Sequence, residues 1–392
     1  MRGLKFILLV DGSDAMSVLA QVPFAVIGFS AVAYIAALIV IVFVHEFGHF
    51  QVGRWCGVKI EAFAIGFGRE LFGFNDRYGT RWKVCLLPLG GYVKFAGDAN
   101  AASLPSAGSA MIPGSLQAAS VWRRMAIVVA GPVANFILAI LIFAAAFMFV
   151  GTPVNEPRID SVTEDGAAKA AGLQSGDFIR GIDGNVIHSF TDIQDAMMLQ
   201  DAQPLQLQVD RGGQMLSITL VPKIVEMPDG FGSTRRQSLI GIVHEVSKDP
   251  KKVERLGPID ALGKGVERTW FVAQTTLRYI GKVFLGSERS NQLHGPAGVA
   301  KFAGEAASMG VWPFVFFIGL ISVSIGLVNL FPVPMLDGGH LVFYLIEAVF
   351  GKPVSPQAQE WSFRIGLSAI LMLMIFATTN DISRYATMIF GG

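Results

Sequence analysis

The sequence predicts a polytopic α-helical membrane protein of about four transmembrane helices, with a membrane-associated cytoplasmic β-hairpin and one small mixed α/β module. Three observations carry this. The 392 residues are 52% hydrophobic and only 16% charged, where soluble proteins carry about 25%, and mean hydropathy is +0.51. Long apolar runs recur at four places along the chain. Between the second and third of them, turn glycines and alternating residues read as a folded module. A net charge of +1 points to no nucleic-acid partner; the lipid bilayer is the partner that composition implies. The two cysteines, Cys56 and Cys85, are too few for a disulfide framework, and no CxxC suggests a structural metal site.

Taken in order, residues 1–21 read as an extracytoplasmic N-terminal segment. The apolar run Met1 to Val10 is short and is followed by Asp11 and Asp14 rather than a small-residue cleavage site, so it stays in the mature chain. The first span, 22–50, has no charged residue from Val22 to Val44, long enough to cross a bilayer. The loop 51–124 carries Arg54, Lys59, Arg69, Arg77, Arg81, Lys83, Lys94, Arg123 and Arg124 against Glu61, Glu70, Asp76 and Asp98. That excess places it in the cytoplasm and everything between spans two and three outside. Both cysteines then face the reducing side, as free thiols should. Within the loop, Glu61–Gly68, Arg81–Leu87 and Gly91–Phe95 read as strands separated by Asn75-Asp76, Gly79, Pro88 and Gly90. They form either a plain cytoplasmic sheet or a hairpin lying against the membrane, whose edge can pair with an extended backbone. Asn100–Ala119, rich in Ala, Ser, Gly and Pro, reads as a flexible connector. Span two is 125–150, with Arg123 and Arg124 as interfacial anchors.

The outer module occupies 151–225. Arg158–Val162 reads as a strand and Gly166–Ala171 as a short helix, while Leu205–Val209 and Leu216–Leu220 alternate as strands around Arg211-Gly-Gly213. Segment 226–311 contains an amphipathic surface helix, Gly263 to Leu285, with Val266, Trp270, Ala273, Leu277, Ile280 and Phe284 at helical spacing. Span three is 312–336. Residues 337–364 follow as a loop and a half-helix, too short to cross and carrying Glu347. A short fourth span, 365–380, relies on a snorkelling Arg364, and 381–392 is a tail.

The chemistry concentrates at the end of span one. On a helix, His45 and His49 share one face, where two imidazoles can bind one metal, and Glu46 sits beside them to take a proton from water. Such residues at a membrane boundary are costly unless they face a wet or protein interior. A mononuclear site needs a third ligand. His188, His244 and His294 lie across the membrane. Asp337, the first acid after a charge-free stretch, lies on the same side as His45 if the topology holds. It is either a ligand or the cap of the half-helix, with His340 as a competing ligand. Topology favours Asp337 as ligand, and it requires the cytoplasmic ends of spans one and three to meet.

HEFGH (His45–His49), GPVANF (Gly131–Phe136) and NLFPVPMLDGGH (Asn329–His340) resemble the site-2 protease family of intramembrane zinc metalloproteases, nearest its bacterial regulator-of-sigma-E branch. The resemblance runs from about Phe24 to Arg384. It implies one Zn2+ on His45, His49 and Asp337, a choice that His-His-carboxylate ligation favours. It also implies Glu46 as general base and acid, and Asn329 as a substrate or transition-state contact. Asn135 would face the active site and contact substrate there, and Gly90, Gly91 and Tyr92 would bind substrate from the hairpin. The implied substrate is a single-pass transmembrane protein already trimmed on its outer side: an anti-sigma factor, a polarity regulator or a remnant signal peptide. The implied location is the bacterial inner membrane. Ala170–Gly184 (AAGLQSGDFIRGIDG) resembles a protease-associated PDZ domain, here periplasmic, that binds an extended peptide or C-terminus or only blocks access. Many relatives carry two such modules, and this chain has room for one. Two other classes compete: a non-catalytic PDZ-bearing receptor, and a metal-ion transporter, which would need further acids or histidines in spans two and four, where there are none.

Overall fold

The computed structural model describes residues 24–98, 112–153, 155–198, 200, 202–228, 234–244, 253–285 and 295–390. The N-terminal segment 1–21, His294 and the first part of the connector lie outside the described residues. By packing the chain divides into two units. One holds the described residues of Met1–Ala144, Gly265–Ala273 and His294–Ile382; the other holds those of Ala145–Lys264, Gln274–Leu293 and Ser383–Gly392. Among the described residues four helices are long and apolar enough to cross a membrane: Val26–Trp55, Val121–Val150, Val311–Asn329 and Pro356–Ser383.

Helix α1 (Phe24–Trp55) ends with Arg54 in its last turn, where a cation suits the partial negative charge of the helix terminus. Two long antiparallel strands follow, β1 (Ile60–Asn75) and β2 (Arg81–Phe95). Both fold back on themselves: 60–65 pair with 91–95 on one side and, from Ala62, with 81–84 on the other, while 72–75 pair with 81–84 again. The break in β2 falls at Pro88–Gly90, where Gly90 has a φ of 139° that side-chain-bearing residues rarely adopt. Asp76 fastens the turn to α1. It accepts the N–H groups of Tyr78 and Thr80, the Trp82 indole N–H at 3.1 Å and the Arg54 guanidinium. Burial alone would raise its pKa, but these donors outweigh it and hold the carboxyl at about 2. The inner face packs Phe50, Phe63, Val93 and Phe95 with Ile127. Leu116, only 2% exposed, joins that core. The expected connector is therefore packed in its second half, because Leu116 fits an aromatic pocket. Helix α2 (Val121–Ala145) continues through a π-helical turn, Ala146–Val150, and starts before the predicted 125.

The second unit contains β3 (Thr152–Pro153), β4 (Ser161–Val162), α3 (Ala167–Ala170), β5 (Phe178–Ile182), β6 (Asn185–Val186), α4 (Phe190–Met198), β7 (Leu205–Arg211) and β8 (Gln214–Leu220). Then come β9 (Lys223–Pro228), β10 (Thr234–Leu239), β11 (Ile242–Val243) and β12 (Val253–Glu254). Its main sheet has the order β6-β5-β7-β8. Every second residue of β7 (Leu205, Leu207 and Val209) is fully buried against Ile159, Ile179 and Ile193, the alternation expected of a half-buried strand. The predicted module limit of 225 falls short. The core includes Ile240, and β11 pairs with β4, so the fold extends at least to Val243; strand β4 gets its partner from there. The predicted strand 158–162 narrows to β4 plus a bridge from Arg158 to Phe178.

Helix α5 (Pro258–Phe284) shows Ile259, Val266, Trp270 and Leu277 outward while burying Ala261, Thr269 and Ala273. Helix α6 (Pro296–Ser308) was not anticipated; its Gly304 packs against Ser30 of α1. Helix α7 (Val311–Asn329) closes on α2 through Gly319 beside Phe143 and Gly326 beside Asn135, small residues that let membrane helices approach. Helix α8 (Asp337–Phe350) is the half-helix. The fourth span differs from expectation: α9 (Pro356–Phe390) is one continuous helix, taking in the predicted loop end, the short span and most of the predicted tail. The hydropathy run stops at Asp381, but that residue is only 2% exposed because it accepts the N–H groups of Gly295 (3.0 Å) and Gly298 (2.9 Å) at the start of α6. A polar residue ended the apolar signal without ending the helix.

Candidate metal centre

His45 and His49 stand one turn apart on α1, both buried. They lie against α2 at Gly131, where any Cβ would run into the His49 ring and come within 2.9 Å of His45 Cε1. Asp337, the first residue of α8, brings Oδ2 to 3.1 Å from His45 Nε2 and 3.5 Å from His49 Nε2, and the two Nε2 atoms are 3.2 Å apart. Among the described residues this is the group of metal-ligating side chains whose donor atoms converge, all within 4.8 Å.

The triangle fits a metal. Tetrahedral bonds of about 2.0–2.1 Å require ligand atoms about 3.3 Å apart, and the three edges bracket that value. Protonation points the same way. His49 Nδ1 is 2.8 Å from the carbonyl oxygen of Ile127, which can only accept, so Nδ1 carries a hydrogen and Nε2 is the nitrogen turned toward Asp337. His45 Nδ1 lies 3.3 Å from the Asn135 amide, whose Oδ1 is buried without a partner. Turning that amide over gives the oxygen the Nδ1–H and frees the second Nε2. Asp337 Oδ2 is buried and faces the two imidazole nitrogens. With both imidazoles neutral, three lone pairs meet at one place, the donor set a divalent cation takes.

A cavity of about 360 Å³ opens in front of them, lined also by Glu46, Gly91, Tyr92, Asn329, His340 and Tyr344. Glu46 follows His45 on α1, and its Cγ lies 3.1 Å from where a Cβ on Gly91 would sit. The run Gly91–Phe95 pairs with 60–65 on one side only, and Asn329 ends α7 at the cavity wall. The structure thus brings His45, Glu46, His49, Asn329, Asp337, Gly90, Gly91 and Tyr92 to one place. Asn135 differs from its expected substrate contact: it is fully buried behind His45, because α7 covers it at Gly326. His340 stands on the wall outside the ligand group. His188 is exposed, and His244 pairs with Asp160 at 2.9 Å in the other unit. Sequence reading missed the Ile127 carbonyl, which no side chain announces. It also missed Tyr344, which the stripe Asp337, His340, Tyr344 and Glu347 at helical spacing would have found.

Comparison with known proteins adds to this geometry. The family model described as peptidase family M50 matches residues 33–374. The chain is 45% identical over 359 residues to "Putative zinc metalloprotease Atu1380" of Agrobacterium fabrum, covering 90% of this chain and 95% of that one. It is 43% identical over 356 residues to "Putative zinc metalloprotease R01501" of Rhizobium meliloti, covering 89% and 95%. To "Metalloprotease MmpA" of Caulobacter vibrioides it is 36% identical over 389 residues, covering 92% and 97%.

Proposed function

The chain belongs to peptidase family M50 and is a membrane zinc metalloprotease; from that premise we propose that it cuts the transmembrane segment of single-pass proteins. The observation that carries this is that Glu46 and the one-sided strand Gly91–Phe95 share a cavity with the three ligands. His45, His49 and Asp337 hold the zinc, and bound zinc supplies Lewis acidity, making water nucleophilic at neutral pH and polarising a peptide carbonyl. Glu46 takes the proton from the attacking water and passes it to the leaving nitrogen. Asn329 donates its amide N–H to the substrate backbone or to the oxygen where charge develops.

A transmembrane helix keeps its peptide groups bonded internally, so the substrate must unwind before it can be cut. The free side of Gly91–Phe95 offers the released backbone groups new partners, and Gly90, Gly91 and Tyr92 set the strand against Glu46. Asn135 supports the reaction from behind, by orienting His45. Residues 157–243 act as a periplasmic PDZ domain in the bacterial inner membrane enzyme. There they bind a peptide or C-terminus and admit substrates whose outer part has already been removed, such as an anti-sigma factor, a polarity regulator or a remnant signal peptide.

The test is co-expression of the parent and Glu46→Gln with tagged single-pass membrane proteins. A cytoplasmic fragment should require Glu46, while the variant keeps its zinc and retains uncut substrate. Cleavage of a helical substrate by purified Glu46→Gln would overturn the reading.

A further inference from the structure

We propose that Arg124 is a positioning residue for the metal centre, acting through Glu347 to fix the half-helix that carries Asp337. The inference rests on Asp337 being a zinc ligand. Arg124 lies in the first turn of α2, where sequence alone suggests an interfacial anchor. Instead it turns inward. Its Nη1 donates to Glu347 Oε2 at 3.0 Å and its Nη2 to Oε1 at 2.5 Å, while Nε donates to the Ala119 carbonyl at 3.1 Å. Its Cζ stands 4.9 Å from the centre of the Tyr344 ring. All three guanidinium nitrogens are therefore committed, in a fork that carboxylates match two-fold. The side chains of Arg124 and Glu347 are only 13% and 18% exposed, so water screens the pair poorly.

What the pair holds is specific. Asp337, His340, Tyr344 and Glu347 follow at intervals of three, four and three on α8, one face of one helix. Asp337 and Glu347 are thus joined by about 15 Å of rigid helix. At the Asp337 end, no side chain caps α8. Gly338 and Gly339 sit so close to the carbonyls of Leu330, Phe331 and Val333 that a Cβ would not fit. The N-terminus is wedged, and rotation of α8 about that wedge is resisted from the far end by Arg124. Ligand distances tolerate only about 0.2 Å of error, so slight slack at Glu347 suffices to spoil the third ligand.

The test uses the full-length chain in detergent, with zinc affinity read by competition against a chromogenic chelator. Arg124→Ala and Glu347→Gln should each weaken zinc holding about 10- to 100-fold. Arg124→Lys should recover only part, because an ammonium cannot form the fork. The reversed pair, Arg124→Glu with Glu347→Arg, should bind better than either single charge change. Excess zinc should restore kcat in the single variants with KM unchanged. The proposal falls if folded Arg124→Ala and Glu347→Gln hold zinc within twofold of the parent, or if the reversed pair is no better than its singles. Should Arg124→Ala not fold, Arg124→Lys and Glu347→Gln decide by the same readout. Failure of the site reading itself looks different: the parent would then keep its zinc after His45→Ala.

Discussion

His49 gives its Nδ1–H to the carbonyl oxygen of Ile127, 2.8 Å away on α2, and so turns its Nε2 toward His45 and Asp337. The pairing makes α2 part of the metal site although it supplies no ligand. Its geometry depends on how near α2 can come, and that is set by glycine. Gly48 on α1 faces the Ala130 backbone, and Gly131 on α2 faces both imidazoles.

Gly131→Ala should therefore damage the site without touching a ligand. The added methyl group would occupy the space of the His49 ring and press within 2.9 Å of His45 Cε1. The rings have nowhere to go while Ile127 and Asn135 hold their other nitrogens. Zinc affinity should fall about 10- to 100-fold, measured as metal per purified chain after dialysis against a weak chelator, and proteolysis should fall with it.

Gly91→Ala should have the opposite profile. A Cβ there would lie 2.8 Å from the Ala64 carbonyl oxygen, 2.9 Å from Val42 Cγ1 and 3.1 Å from Glu46 Cγ. The strand must lift away from α1 and Glu46 must move, yet no ligand is displaced. A misplacement of about 1 Å costs roughly 100-fold in rate. Zinc content should equal the parent's while kcat/KM drops by about that factor.

The long apolar helices and the pairing of His45 with His49 were legible in the sequence because both are written in residue type. A charge-free run such as Val22 to Val44 leaves little choice, and His45, Glu46 and His49 keep their spacing on any helix. Asp337 was reached only through the expected topology, in which the arginines and lysines of the 51–124 loop put it on the same side as His45. Less was legible where a residue's environment is made by distant partners. Asp381 looked like the end of a span until its two donors at the start of α6 were seen. Arg124 looked like a headgroup anchor until Glu347 was placed beside it. The boundary after 225 failed for a similar reason, because the strand that completes the module at Val243 is two residues long and carries no periodicity of its own.

Asp381→Ala tests the first of these. It would leave the Gly295 and Gly298 N–H groups buried without acceptors, a loss of about 1–3 kcal/mol. Because α6 lies along α1 at Gly304, the loosened start of α6 should lower the thermal midpoint of the full chain in detergent and expose the α6–α7 region to protease. Asp381→Asn, which retains one acceptor oxygen, should fall between parent and alanine.

The second unit should carry its own acid sensitivity, and its sign follows from Asp177. That carboxylate has a side chain only 1% exposed, and it accepts two bonds of 2.7 Å from Arg211 and one of 2.9 Å from the Gln174 N–H. Burial by itself would raise its pKa, but Arg211 and the backbone donor prevail and hold it below the usual carboxylate value. A carboxyl whose pKa is lower folded than unfolded contributes stability that is complete above the unfolded value, about 3.9, and is lost as pH falls through the lowered one. Hydrogen exchange of β5 and β7 in the full chain should accordingly be flat from neutral pH down to about 5 once corrected for intrinsic rates, and should rise steeply below about 4. Asp177→Asn should expose these strands at neutral pH and flatten the acid response, because the group that titrates is gone. An acid response of unchanged steepness in Asp177→Asn would show that Asp177 is not its source.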